Sequence, residues 1–431
     1  VDVAIVGGGF TGLWTAYALM ERDPSIRVVV LESEVVGFGA SGRNGGWASA
    51  LLPMGLTSMA AQHGRDAAIR MQRAMVDAIR EIERVTHTEQ IDCHFQLGGS
   101  FRAARNPAQV ERLHDELAEQ RAFGFGEGDV HWLDPAESAS TIAVTRNLGA
   151  LFTPHCAAIH PARLVRGLAL AVERRGVIIH ENSRVLDIEP GRVRTQGGTV
   201  RATHIVRATE AFTPGLPGLR RALAPVYSLM IATEPLPPSV WEQIGWADRQ
   251  TFSDARRTVI YGQRTADDRI AFGGRGAPYH LGSRIEPQFD LHRRVHDGLR
   301  DTLRDLFPAI GDVAITHRWG GPVGIPRDWE CSVGLDRATG IGWAGGYVGD
   351  GVTTTNLAGR TLAALITGDD PGDLTSLLWV DHHSRRWEPE PFRWIGINSM
   401  VRMPSSIDRY EDRHDHPERW RSAILERVLG H

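Results

Sequence analysis

The segment Val1–Gly12, VDVAIVGGGFTG, runs an apolar strand directly into Gly7-x-Gly9-x-x-Gly12 and then into an apolar helix. Gly7 permits the tight turn, Gly9 lets the backbone approach a pyrophosphate, and Gly12 lets the helix pack closely on the strand. The helix amides and dipole, together with the backbone at Phe10 and Thr11, then face the phosphates. Ile26–Leu31, IRVVVL, reads as a second parallel strand ending at Glu32, which follows Gly12 by 20 residues and precedes Ser33. An acidic side chain at that spacing accepts hydrogen bonds from a ribose hydroxyl. A Gly-rich turn between buried elements would share the glycines, but not the flanking strands and the acid together.

The fingerprint does not distinguish FAD from NAD; the next segment does. Gly37–Trp47, GFGASGRNGGW, is a second loop of Gly and small polar residues: Ala40, Ser41, Arg43, Asn44, Gly45 and Gly46. Arg43 is the only charge between Glu34 and Arg65. A flavin, whose pyrophosphate and ribityl chain reach further, uses a second strip of backbone donors and one cation near the phosphates.

With these stretches and Gly342–Gly359, GWAGGYVGDGVTTTNLAG, on the page, the chain resembles the D-amino-acid-oxidase-like superfamily of FAD-dependent amine oxidoreductases. Within it, the order and spacing resemble the gamma-glutamylputrescine-oxidoreductase-like branch. The resemblance implies that the third segment is a strand-to-helix turn wrapping the flavin ring, with Gly349, Asp350, Gly351 and Thr353 near the isoalloxazine. It also places the backbone at Val185 against the adenine. Read from the residues alone, Ile341–Ala344 is a short strand, GGYVGDG a turn, and Val352, Leu357, Leu362, Ala363 and Ile366 one helical stripe ending at Gly368. A second helix N-terminus at this turn favours negative charge on a reduced flavin.

At 431 residues with 42% hydrophobic content, the chain can bury a large core and is expected to hold two domains. A net charge of −4 gives no footprint for nucleic acid. All 48 basic residues are Arg, which removes lysine-based mechanisms. Cys93, Cys156 and Cys331 are too few and scattered for a disulfide framework or metal cluster, so buried thiols in a cytoplasmic protein are expected. No apolar stretch approaches the ~20 residues of a membrane span.

The expected fold is α/β: a discontinuous Rossmann-like FAD-binding domain (1–90, 149–220 and 313–431) interrupted by a substrate domain with a mixed or antiparallel sheet (91–148 and 221–312). Helical spacing marks Ala67–Val85, a helix capped by Asn106-Pro107, and Pro161–Arg175; β patterns mark Val177–His180, Val185–Ile188, Val200–Val206 and Val226–Thr233. Val259–Gln263 and Ile270–Gly274 read as a hairpin. Arg293, Arg294, Arg300 and Arg304 alternate with Leu299 and Leu303, as on the solvated face of an amphipathic helix. The tail beyond Gly368 reads as irregular coil until a terminal helix over Pro417–Leu429.

No second Gly-x-Gly-x-x-Gly follows a strand, so an organic substrate is expected to reduce the flavin, and the resemblance points to a small-molecule amine or amino acid. An NAD(P)H-fed flavoprotein reductase or hydroxylase, and an RNA-modifying oxidase of the same fold, are the alternatives. The acceptor is oxygen or another carrier. Candidates for positioning and proton handling are Tyr227 and Tyr261 on middle-region strands and His317 before the Gly320-Gly321 turn. His382-His383 and His414-Asp415-His416 read as solvated tail. Sarcosine-oxidase-like members of the superfamily use Lys beside the flavin and Lys after the C-terminal turn; here there is no Lys, and Thr353 stands at the second position. Carboxylate recognition then falls to an Arg. Cys331 does not align with the Cys that attaches flavin in some relatives, so dissociable FAD is expected.

Overall fold

The computed structural model describes residues 1–429. Its first sheet has the strand order Ser332–Asp336, Ile341–Gly345, His204–Arg207, Val3–Val6, Val28–Leu31, Ile178–His180. Every pairing in it is parallel except that of Ser332–Asp336 with Ile341–Gly345. Val3–Val6 and Val28–Leu31 are buried throughout, as apolar runs covered on both faces must be. The helix Phe10–Arg22 packs against the helix Gly351–Thr367, and Gly359 makes that approach possible: a Cβ there would lie 2.6 Å from the Trp14 carbonyl carbon and the Thr15 nitrogen. Ligands of such sheets bind beyond the carboxyl ends of the strands, where the turns at Gly7 and Gly346 lie.

The second sheet runs Ile315–Ile325, Ala224–Thr233, Ile270–Gly274, Ile260–Arg264, Thr251–Asp254, Ser100–Ala103, Ala150–Thr153, His131–Leu133. The expected hairpin is present, with Tyr261 opposite Gly273 in antiparallel register. One face of this sheet is covered by the helix Arg293–Leu306 through Leu299, Leu303 and Leu306, making a separate core with Phe101, Tyr227, Phe252 and Phe272. The arginines on its outer side are matched by aspartates: Arg293 by Asp297, Arg300 by Asp297 and Asp301, Arg304 by Asp312. That face is a charge-balanced surface rather than a basic one.

Three expectations need correction. The substrate sheet crosses the boundaries placed at 148/149 and 312/313, because Ala150–Thr153 and Ile315–Ile325 are both strands of it. Val200–Val206 is two strands, Thr199–Arg201 in a three-stranded meander with Val185–Glu189 and His204–Arg207 in the parallel sheet. The tail is not coil: Phe392–His414 is a helix of 23 residues. Its buried residues are Arg393, Ile397, Ile407 and Glu411, so it shows no continuous apolar stripe. Polar contacts hold it instead. Glu411 pairs with Arg112 at 2.9 Å, and Asp408 accepts the backbone amides of Arg257 at 2.6 Å and Thr258 at 2.9 Å. The terminal helix spans Arg419–Leu429.

His382 likewise is no solvated tail residue: it lies half-buried, and its hydrogen bond to Asp328, 3.0 Å away, raises its pKa. His383, His414 and His416 are near the surface, and no group of His, Cys, Asp or Glu among the described residues is arranged to hold a metal. The three cysteines are buried and unpaired. No helix among the described residues is long and apolar enough to cross a membrane.

Candidate functional site

The turn after the first strand is built from glycines that nothing larger can replace. Gly7 has φ +114°, and a Cβ on it would meet the Ala208 carbonyl oxygen at 2.4 Å; one on Gly12 would meet the Gly7 carbonyl oxygen at 2.1 Å. Ser41 of the second loop closes on this turn, its hydroxyl accepting the Phe10 amide at 2.8 Å. A Cβ on Gly9 would lie 2.8 Å from that hydroxyl. The two glycine loops therefore form one continuous backbone surface. Glu32 caps it: its carboxylate accepts the Gly8 amide at 2.7 Å and the Glu34 amide at 3.0 Å. Burial raises its pKa against the pull of those amides. Ionised carboxylate oxygens have about four lone-pair sites, so two remain for a ribose hydroxyl. Ser33 beyond it is exposed and Val185 half-buried on its meander strand.

The second loop is stitched to the substrate sheet. Gln263 donates to the carbonyls of Gly45 at 2.7 Å and Ile159 at 3.1 Å, and a Cβ on Gly45 would strike the Tyr261 ring at 2.5 Å. Asn44 ties the loop to itself through the Ala40 and Ser41 carbonyls and the Gly46 amide. Arg43 is itself held within the protein. It is not a free cation, because it pairs with Asp290 at 2.6 Å and lies over the Phe38 ring.

The third segment arrives from the far end of the chain. Tyr347 meets Thr11 hydroxyl to hydroxyl at 3.1 Å, both groups buried. Glu210, just past the carboxyl end of the strand His204–Arg207, accepts the amides of Gly324 at 2.9 Å and of Gly346 and Tyr347 at 3.1 Å each. Burial pushes its carboxyl up to about 7 even so. Val348 next to it has φ +56°, a conformation that costs a β-branched residue of order 1–3 kcal/mol, and Gly349 has φ +110°. The Arg275 guanidinium donates to the Val348 carbonyl and helps hold the strained turn. Strain of this kind persists only where the surroundings impose it, and it clusters at ligand sites.

The second loop, the substrate sheet, the last turn and the tail helix line a cavity of about 1230 Å³. Its walls include Arg43, Asn44 and Gly45 of the second loop, Ser228, Tyr261 and Arg275 of the substrate sheet, Gly349 and Asp350 of the last turn, and the tail helix through Ile397 and Met400. Tyr261 donates to or accepts from Ser228 at 2.7 Å, and burial raises its pKa. Burial pushes Asp350 up to about 6, with Arg275 pulling the other way. Thr353 is fully buried, and its hydroxyl finds no partner among the protein atoms. An unpartnered hydroxyl at the start of the helix Gly351–Thr367, with glycine turns that leave no room for a Cβ at Gly7 and Gly12, fits a flavin dinucleotide.

Two sequence candidates fall outside this cavity. Tyr227 is 1% exposed and points the other way from Ser228, edge-on to Phe289 and His280 in the core beneath the sheet, because side chains alternate along a strand. His317 is exposed near the start of its strand, hydrogen-bonded at 2.9 Å to Thr316. Conversely, Glu210, Gln263 and Arg275 escaped the sequence reading. Glu210 and Arg275 each follow a strand end, a placement that could have marked them.

A profile described as FAD dependent oxidoreductase, DAO, matches residues 2–365. Gamma-glutamylputrescine oxidoreductase of Escherichia coli K12 is 33% identical over 374 residues, covering 85% of this chain and 84% of that protein. A probable oxidoreductase, OrdL, of Haemophilus influenzae is 30% identical over 378 residues, covering 86% and 83%. Among solved structures, glycine oxidase from Geobacillus kaustophilus superposes with a TM-score of 0.74 at 21% identity, covering 88% of this chain and 98% of that one. Iminodiacetate oxidase from Chelativorans sp. BNC1 gives 0.71 at 15% identity, covering 88% and 99%. These structural likenesses bear out the expected α/β fold.

Proposed function

Since this chain belongs to the DAO family of FAD-dependent oxidoreductases, we propose that it oxidises a C–N bond of a primary or secondary amine or an amino acid. When bound, FAD supplies the hydride acceptor at its N5; the imine left on the substrate then hydrolyses to a carbonyl compound and a smaller amine. Gly7, Gly9, Phe10, Thr11, Gly12, Glu32 and Ser33, the loop Ala40–Gly46 and the turn Gly349–Thr353 would hold the cofactor without a covalent bond, with Val185 beside the adenine. Cys331 is buried, its thiol pKa raised well above the ordinary value by burial, which suits an inert side chain better than an attachment point. Arg43 would complete the cofactor cradle through the loop it braces against Asp290.

The observation that carries this reading is the cavity itself. Its lining includes the apolar and aromatic side chains of Val226, Tyr261, Val323, Ile325 and Trp329 together with the polar groups of Ser228, Arg275 and Asp350. Such a chamber desolvates an amine and holds its C–H bond in one orientation, which is the protein's share of the work. Tyr261 is the one sequence candidate that keeps a place in the chemistry, with its hydroxyl bound to Ser228. The acceptor of the electrons is oxygen or another carrier.

Anaerobic mixing of the yellow protein with a panel of amines and amino acids tests the proposal. Bleaching of the flavin by an amine is expected, and the rate of recolouring in air separates an oxidase from a dehydrogenase. Prompt bleaching by NADPH with none by any amine would overturn it in favour of a reductase or hydroxylase.

A further inference from the structure

Asp350 and Arg275 face the cavity without a counter-charge at contact. The Asp350 carboxylate forms no hydrogen bond and no ion pair among the described residues, although it is the residue at which the helix Gly351–Thr367 begins. Arg275 donates to the Val348 carbonyl and approaches the Trp329 ring, with no carboxylate at ion-pair distance among the described residues. Other arginines on the walls have acid partners, as in Arg102 with Glu116, Arg112 with Glu411, Arg256 with Asp254 and Arg327 with Glu388. A half-buried carboxylate left unpaired in a largely apolar chamber is costly unless something else completes it.

We propose that Asp350 receives the ammonium group of the substrate and takes its proton. The N–H bond breaks, an O–H bond forms on the carboxyl, and the electron pair stays on nitrogen, which leaves a neutral amine. The proton returns to solvent through the open end of the cavity between turnovers. This rests on the amine-oxidising reading above and names the base for it. Arg275 is the positioning residue: it braces the turn through Val348, and its positive charge keeps Asp350 ionised while disfavouring an ammonium nearby.

The groups that bear on Asp350 are few. Arg275 comes from the end of the strand Ile270–Gly274; the thiols of Cys156 and Cys331 also feel its charge, and burial holds both neutral near pH 7. Glu210, bound to the Gly346 and Tyr347 amides of the same turn, titrates nearby at about 7, so a limb near about 6 in the pH profile is assigned to Asp350 by its loss in Asp350→Asn. Above it the carboxylate is ionised and competent; below it the proton is already in place and the rate falls.

The test uses the FAD-loaded protein and the Asp350→Asn and Asp350→Glu variants. Two readouts are followed: the second-order rate of anaerobic flavin bleaching against pH, and the binding of tetramethylammonium, a cation with no proton to give, by its perturbation of the flavin spectrum. Asp350→Asn is expected to bleach about 100-fold more slowly or worse, to lose the limb near pH 6 and to bind tetramethylammonium at least about 10-fold more weakly. Asp350→Glu should retain a displaced limb. Unchanged rate, profile and cation binding in Asp350→Asn overturn the proposal. If neither variant retains FAD, the wild type decides: a limb fixed near pH 6 for amines of different basicity supports Asp350, and a limb that follows each amine's own pKa overturns it. If no amine bleaches the wild type, the amine-oxidising reading fails first, and the tetramethylammonium titration still judges the cation site.

Discussion

The hydroxyl of Thr11 and the phenol of Tyr347 are 3.1 Å apart and buried, joining the start of the first helix to the last turn of the cofactor fold across 336 residues of sequence. Removing one partner strands the other. Tyr347→Phe is expected to cost about 1–3 kcal/mol, and Thr11→Val added to it much less than its own single cost, because no unpaired hydroxyl then remains. A double-mutant cycle by chemical denaturation measures the coupling; additive costs would show that the contact carries no energy.

Gly9 and Gly12 should fail differently when changed to Ala. The Gly9 Cβ would press on the Ser41 hydroxyl at 2.8 Å, a side-chain atom that can rotate, so the chain folds but the two loops part. Loss of FAD affinity of at least about 10-fold, read by flavin release on dilution, is expected. The Gly12 Cβ would meet backbone, the Gly7 carbonyl oxygen at 2.1 Å, and destabilisation of about 1–3 kcal/mol or more should appear in the apoprotein itself.

Glu210 makes stability depend on pH in a predictable direction. Burial lifts its carboxyl from an ordinary 4.5 to about 7, so the folded chain holds this proton more tightly than the unfolded chain does. Its favourable contribution is therefore full below pH 4.5 and lost as pH rises through 7. Glu210→Gln removes that dependence. The Tm of wild type minus that of the variant should fall between pH 4.5 and 7, and a flat difference would refute the assignment.

The three sequence candidates for catalysis separate cleanly. Tyr261→Phe breaks the 2.7 Å contact with Ser228 on the cavity wall and should slow amine-driven bleaching by about 10-fold, with FAD retained. Tyr227→Phe and His317→Ala should leave that rate within about 2-fold, since neither side chain reaches the cavity. Slowing by Tyr227→Phe to the level of Tyr261→Phe would mean that the strand register is misassigned.

What was legible in the sequence is what is local. Gly7-x-Gly9-x-x-Gly12, the loop around Ser41 and the turn before Gly351 are each a short strand-turn-helix or glycine run, whose residue types are demanded by backbone geometry within a few positions. The face of Tyr227 was also written there, in its alternation with Leu229 and Ile231 of the core against Val226 and Ser228 of the cavity. A strand end could mark Glu210 and Arg275 as placed near the site, but what they and Gln263 bind was not legible, because the partners lie at Gly324 and Tyr347, at Val348 and at Gly45. The helix Phe392–His414 hid for a chemical reason: it is fastened by Asp408 and Glu411 where periodicity looks for leucines.

The parallel sheet places the strand Ile341–Gly345 beside His204–Arg207, and that beside Val3–Val6. Synthesis on the ribosome proceeds from the first of these toward the last, so an emerging chain displays the glycine fingerprint more than 300 residues before the turn that completes it. On the proposed cradle, the cofactor cannot be gripped until that last turn has emerged. On the proposed reading, flavin loading waits for the turn Gly349–Thr353, and truncation before Thr353 would leave the glycine fingerprint without the turn that closes it.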